Sequence, residues 1–173
     1  MKKAVIVNAH WNNRGEEAAL RAMLDKLLNE NPNWSFQIIF KEKEIVQFPY
    51  DEVSFISLKF LPKNVLEVIW AVLTRGNYKL VGNRYLAESI KRFLEADLLI
   101  YAPGGAVICD RFWWVKQLEY LLPFICSKFY NIPIVVAAPS IGPFNREKNN
   151  AINCKNNLCK GKNFADVFEG IGC

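Results

Sequence analysis

The chain has one histidine, no run of five lysines or arginines, no GxGxxG or P-loop spacing, and no uninterrupted apolar stretch of membrane-spanning length. Each absence removes a class of function. Without zinc-finger spacing, an RNP-like aromatic run or a basic block, nucleic-acid binding is not expected, although the net charge is +5 and favours anionic partners in general. Without the glycine spacing of a dinucleotide fingerprint or a Walker loop, neither a dinucleotide nor a nucleoside triphosphate is specifically indicated. The most apolar region, "FWWVKQLEYLLPFICSKFYNIPIVVAA", is broken by Lys116, Gln117, Glu119, Pro123 and Lys128, whereas a membrane span needs roughly 20 predominantly apolar residues. "MKKAVIVNAHW" starts basic, but its apolar run is too short for a signal peptide. The expected location is the cytoplasm, with at most peripheral contact at the inner face of a membrane. Five cysteines without a secretory signal read as thiols. Cys109 and Cys126 sit in apolar surroundings as core residues, and the Cys154/Cys159 pair has no partnering histidine, so no metal is expected.

What is present is a folded α/β pattern. Half of the 173 residues are apolar, and a chain of this size buries roughly 70% of the surface its unfolded form exposes. "KAVIVNA" is a continuous β-branched run, the mark of a strand covered on both faces. Ala18, Ala19, Met23, Leu24, Leu27 and Leu28 then recur at helical spacing until Asn31-Pro32. "WSFQIIF" follows as a second strand, completing a βαβ unit. Residues 41–62 read as a loop with short strand pieces, and "NVLEVIWAVLTRG" and "RYLAESIKRFLEA" as helices. "DLLIYA" is the next strand, residues 111–130 a helix with a kink or break at Pro123, and "PIVVAAPS" the last strand. The expected fold is therefore Rossmann-like: a doubly wound, mostly parallel sheet.

In such a sheet, ligands bind beyond the carboxyl ends of the strands. Three segments fall there: "NAHWNNRGEEA", "APGGAVICD" and "PSIGPF". Each carries glycine, which lets the backbone approach a ligand, and each leads toward a helix N-terminus that favours an anion. Taken singly they have plainer explanations. Asn13 serves as a helix cap, Glu16 and Glu17 offset the helix dipole, "PGGA" is a glycine turn, and His10 packs in a loop or acts as a general base. Asp110 reads as a cap of the Trp-rich helix.

Taken together, the segments resemble the N-terminal half of the polysaccharide pyruvyl transferase family. The resemblance lies in Asn13-Arg14-Gly15-Glu16-Glu17-Ala18 after the first strand, in Ala96-Asp97-Leu98-Leu99-Ile100 with Gly104-Gly105, and in Ser140-Ile141-Gly142-Pro143-Phe144. It covers residues 1 to about 148. It implies transfer of the enolpyruvyl group of phosphoenolpyruvate to a sugar of a cell-surface polysaccharide or of its lipid-linked precursor, with no redox cofactor. It also implies one half of a GT-B-like pair of domains. The substrate-binding residues it points to are Asn13, Arg14, Gly15, Glu16, Glu17, Gly104, Gly105, Ser140 and Gly142. Which residues are catalytic is left open.

The family carries a second domain that this sequence does not show. Residues 149–173 turn asparagine- and lysine-rich, hold three of the five cysteines, and read as a truncated or frameshifted tail. This 173-residue chain is accordingly expected to lack half of the active site, and a partner chain supplying a second domain is one alternative. Others are a non-catalytic sugar- or nucleotide-binding protein and half of a nucleotide-sugar glycosyltransferase.

Overall fold

A computed structural model describes residues 1–41, 48–57, 66–67, 69–70, 74, 77–108, 114–137 and 139–141. In chain order they form β1 (Lys2–Ala9), α1 (Arg14–Glu30), β2 (Trp34–Phe40), β3 (Ser54–Ser57), a 3-10 turn (Tyr78–Leu80), α2 (Arg84–Leu94), β4 (Leu98–Tyr101), β5 (Gly104–Ile108), α3 (Trp114–Tyr130), β6 (Ile134–Val136) and β7 (Pro139–Ile141). The helix expected over 64–76 falls largely outside these residues, as do Cys109, Asp110, Gly142 and the tail at 149–173.

Five strands pair in the order β3-β2-β1-β4-β6, and every pairing is parallel. The α/β class follows directly. β1 lies at the centre, and its alternating side chains sort into two cores. Ala4 and Ile6 join Phe36, Ile38, Leu98 and Ile100 under Leu20, Leu24 and Leu27 of α1. Val5 and Val7 join Ile39, Leu99 and Tyr101 under Leu86, Ile90 and Phe93 of α2 and Leu122 and Cys126 of α3. Because both faces are covered, β1 needs no polar face, which is why its sequence is a continuous apolar run.

Caps fix the helix ends. The Asn13 side chain accepts from Gly15 N, and α1 stops at Asn31, whose N–H and side-chain amide both donate to the Leu27 carbonyl. Asn83 caps α2 more fully, accepting from Tyr85 N at 3.0 Å and Leu86 N at 3.3 Å. Burial also sets the chemistry of individual side chains. It pushes the Cys126 thiol up to about 12, so this residue is the inert core cysteine the sequence suggests.

Three expectations are corrected. "PIVVAAPS" is two strands rather than one: β6 closes the large sheet while β7 pairs with β5 in a separate two-stranded sheet. Gly104-Gly105 is not a bare turn but the start of β5. α3 runs through Pro123 without a break. Proline removes the amide that would bond the carbonyl four residues back, yet the flanking Leu122 and Cys126 are anchored in the core. The Tyr101 hydroxyl also donates to the Tyr120 carbonyl in the same stretch, at 3.4 Å.

Two predictions test this packing. Leu24 has no exposed surface, so Leu24→Ala should cost about 3 kcal/mol in urea denaturation, whereas removing the α2 cap by Asn83→Ala should cost about 1 kcal/mol. Equal losses would contradict the separation of core and cap terms. The second concerns Tyr50, whose hydroxyl donates to Asp25 Oδ1 at 2.7 Å. Burial first, then that hydrogen bond and the Asp25 charge, raise its pKa from 10.0 to about 12. The fold thus favours the protonated phenol, and the contribution is fully present below pH 10.0 and lost as pH rises through about 12. The stability advantage of the wild-type chain over Tyr50→Phe should shrink across that window, and a constant difference would refute the assignment.

Candidate functional site

The sheet changes direction of winding at β1, with β2 on one side and β4 on the other. In open α/β sheets this is where a crevice forms at the carboxyl edge. From β1 the chain passes through His10–Asn13 into α1, and from β4 it passes through Ala102–Pro103 into β5.

Trp11 anchors the first loop. It is buried, its ring meets Phe48 edge-on at 5.0 Å and Phe40 at 6.2 Å, and the Arg21 guanidinium lies 4.6 Å over it. Arg21 is itself held by Glu17 through bonds of 2.8 and 2.9 Å. This draws Glu17 along the helix surface toward Arg21. Glu16 takes another direction. Its Oε2 is 3.9 Å from His10 Nδ1, and its carboxylate is what a Cβ on Gly104 would meet, at 3.5 Å. That separation is ordinary van der Waals contact, so glycine leaves this spot open without being sterically required.

The structure thus brings His10, Glu16 and Gly104 together. Asn13 is the cap of α1, Arg14 is exposed as its first residue, and Gly15 follows with only Asn13 Oδ1 near its missing side chain, at 3.8 Å. Gly105 continues β5. Ser140 lies in β7, whose parallel pairing with β5 matches Gly104 to Pro139 and Ile108 to Ile141. The three glycine-bearing segments are therefore linked, the first to the second through Glu16 and Gly104 and the second to the third through the β5–β7 pair.

On the other face of the sheet lies a cluster that sequence reasoning missed. Between Ile6 and Ala9 the pairing with β2 slips, so that Val7 and Asn8 oppose the single residue Ile39. Asn8 adopts φ 58°, a left-handed conformation that asparagine tolerates better than most residues. The bulge sends Ala9 to the α1 face and places Asn8 in a pocket with Val7, Ile39 and Tyr101. Lys41, directly after β2, and Glu119 of α3 line the same pocket. They form an ion pair at 3.4 Å with side chains only 8% and 6% exposed, and the Lys41 ammonium sits 3.3 Å from the centroid of the Tyr120 ring. Burial, then the neighbouring Tyr120 and Glu119, push the Tyr101 hydroxyl far above its ordinary pKa, so it remains a donor. The one sequence signal was a polar residue inside an apolar run: Asn8 in "KAVIVNA" and Glu119 in "FWWVKQLEYLL". No group of three or more His, Cys, Asp or Glu suited to a metal occurs among the described residues. Nor is any helix among them long and apolar enough to cross a membrane.

Compared with protein families, with curated proteins and with solved structures, the chain matches none.

The buried ion pair makes a sharp energetic prediction. Removing one partner leaves the other charge buried and uncompensated, so Lys41→Met should cost about 3 kcal/mol, and the double change Lys41→Met with Glu119→Leu should regain most of it. Additive losses in a double-mutant cycle would show that the two side chains do not act as a pair.

Proposed function

We propose that this chain forms a Rossmann-like, doubly wound half of a GT-B-type architecture. Its proposed role is to bind phosphoenolpyruvate at the carboxyl edge of the sheet for pyruvyl transfer to a sugar of a cell-surface polysaccharide or its precursor. The observation that carries the reading is the meeting of His10, Glu16 and Gly104 at the β1–β4 crossover. Two of the segments that resemble the pyruvyl transferases, the one with Glu16 and the one with Gly104, meet there.

The chemistry assigns each group a task. Protonation of the enol carbon of phosphoenolpyruvate makes its neighbour electrophilic. A sugar hydroxyl then adds there and loses its proton, phosphate leaves, and a second hydroxyl closes the ketal. Catalysis of this kind depends on placing donors against carboxylate and phosphate and on a group that moves protons. Exposed Arg14 at the start of α1 suits the anionic donor. Glu16, with His10 behind it, suits hydroxyls of the acceptor. Gly15 and Gly104 keep the backbone open on both sides.

Titration calorimetry on the whole chain tests this. Phosphoenolpyruvate should bind, while a nucleotide sugar should not. Gly15→Ala should leave the fold intact and raise stability by about 0.5 kcal/mol, because alanine is the better helix former, yet weaken phosphoenolpyruvate binding at least tenfold. Binding of the nucleotide sugar alone would favour the glycosyltransferase reading instead. No binding of either by folded protein would refute a donor site in this chain.

A further inference from the structure

The pocket beneath the β1 bulge is separate from the His10–Glu16–Gly104 grouping, because it lies on the face covered by α2 and α3. Asn8 is 4% exposed, and neither its Oδ1 nor its Nδ2 has a hydrogen-bond partner among protein groups. An amide buried in that state carries the full desolvation penalty of its unpaired groups. The bulge adds to this cost, since it spends a left-handed residue to bring Asn8 to this face. An arrangement that turns a polar side chain inward needs something polar for it to meet.

Three features define that partner. The pocket holds about 10 Å³, close to the minimum for one water and too small for any larger ligand. Its charged lining, Lys41 and Glu119, is an ion pair of net zero charge. A cation there faces the ammonium, an anion faces the carboxylate, and a neutral molecule faces neither penalty. Finally, the Asn8 amide offers both a donor and an acceptor, which a hydroxyl oxygen satisfies in one position. We propose that this pocket binds one water molecule, which hydrogen-bonds the Asn8 amide beside the Lys41–Glu119 pair and so ties the bulge beneath His10 to α3.

The water gives Asn8 the partner its burial demands. It also adds β1 to the polar links to α3 that Tyr101 and Lys41 already make at this level. This is the usual role of internal water, which makes two to four hydrogen bonds to buried polar groups and is costly to remove.

A crystal structure of the full chain, at a resolution that shows ordered water, is the first test. The expected result is one ordered oxygen within hydrogen-bonding distance of Asn8. A dry pocket, or density that refines as a metal ion or chloride, overturns the proposal. In solution, oxygen-17 magnetic relaxation dispersion counts long-lived internal waters. Asn8→His retains a residue that tolerates the left-handed backbone and fills the space with a ring, so the count should fall by one relative to wild type. An unchanged count in folded Asn8→His overturns the proposal. If that variant fails to fold, the wild-type crystal structure decides alone.

Discussion

β1 is buried on both faces and paired along both edges, and the rest of the molecule depends on that double enclosure. A strand in this position has no side facing water, so every residue from Ala4 to Ala9 must be accommodated by a neighbour. The two-residue repeat of the strand then divides the chain into two cores. Helices have to cover both, and the crossovers that bring them there carry the loops to the carboxyl edge. The grouping of His10, Glu16 and Gly104 is a consequence of this sorting, because the loops following the central strands start from adjacent points.

The same enclosure explains why the one irregularity in β1 matters. A regular strand would carry Asn8 to the α1 face, where Leu20, Leu24 and Phe40 surround the sheet. The extra residue between Ile6 and Ala9 reverses that choice. Ala9, small and apolar, takes the α1 side, and Asn8 reaches the side where Lys41 and Glu119 provide a polar surrounding. Bulges recur beside functional sites because they re-aim a side chain without disturbing the rest of the ladder. Here the re-aimed residue lies two positions before His10, so the shape of the strand end is coupled to the loop above it.

The large elements were legible because their signals are local and redundant. The apolar run of β1, the Leu20–Leu24–Leu27 stripe and the Asn31-Pro32 stop each agree with the others about where α1 begins and ends. The β5–β7 pair was not legible. Its strands are only five and three residues long, and one starts with glycines while the other starts with proline. Pairing between segments some thirty residues apart leaves no periodicity in either. The polar pocket was hidden for a different reason. Lys41 and Glu119 are far apart in sequence, and each resembles a solvated charge until the fold places them together. Within the candidate site, Asn13 and Glu17 are accounted for by capping and by the Arg21 pair, and only Glu16 faces Gly104.

That difference between two adjacent glutamates bears on what the proposed site would hold. Acidic residues in the first turn of a helix already complement its dipole, and an added anion must compete with them. Glu17 is engaged by Arg21, so its charge is largely offset by a guanidinium that is stacked on Trp11. Glu16 lies 3.9 Å from His10 Nδ1, a group that is charged only when protonated. The Glu16 carboxylate thus lies beside Gly104, and the exposed Arg14 stands at the start of the same helix. On the proposed reading, hydroxyls of the ligand would meet Glu16 and its negative charge would meet Arg14. The substrates proposed above, a sugar acceptor and phosphoenolpyruvate, divide their hydroxyls and negative charge in that way.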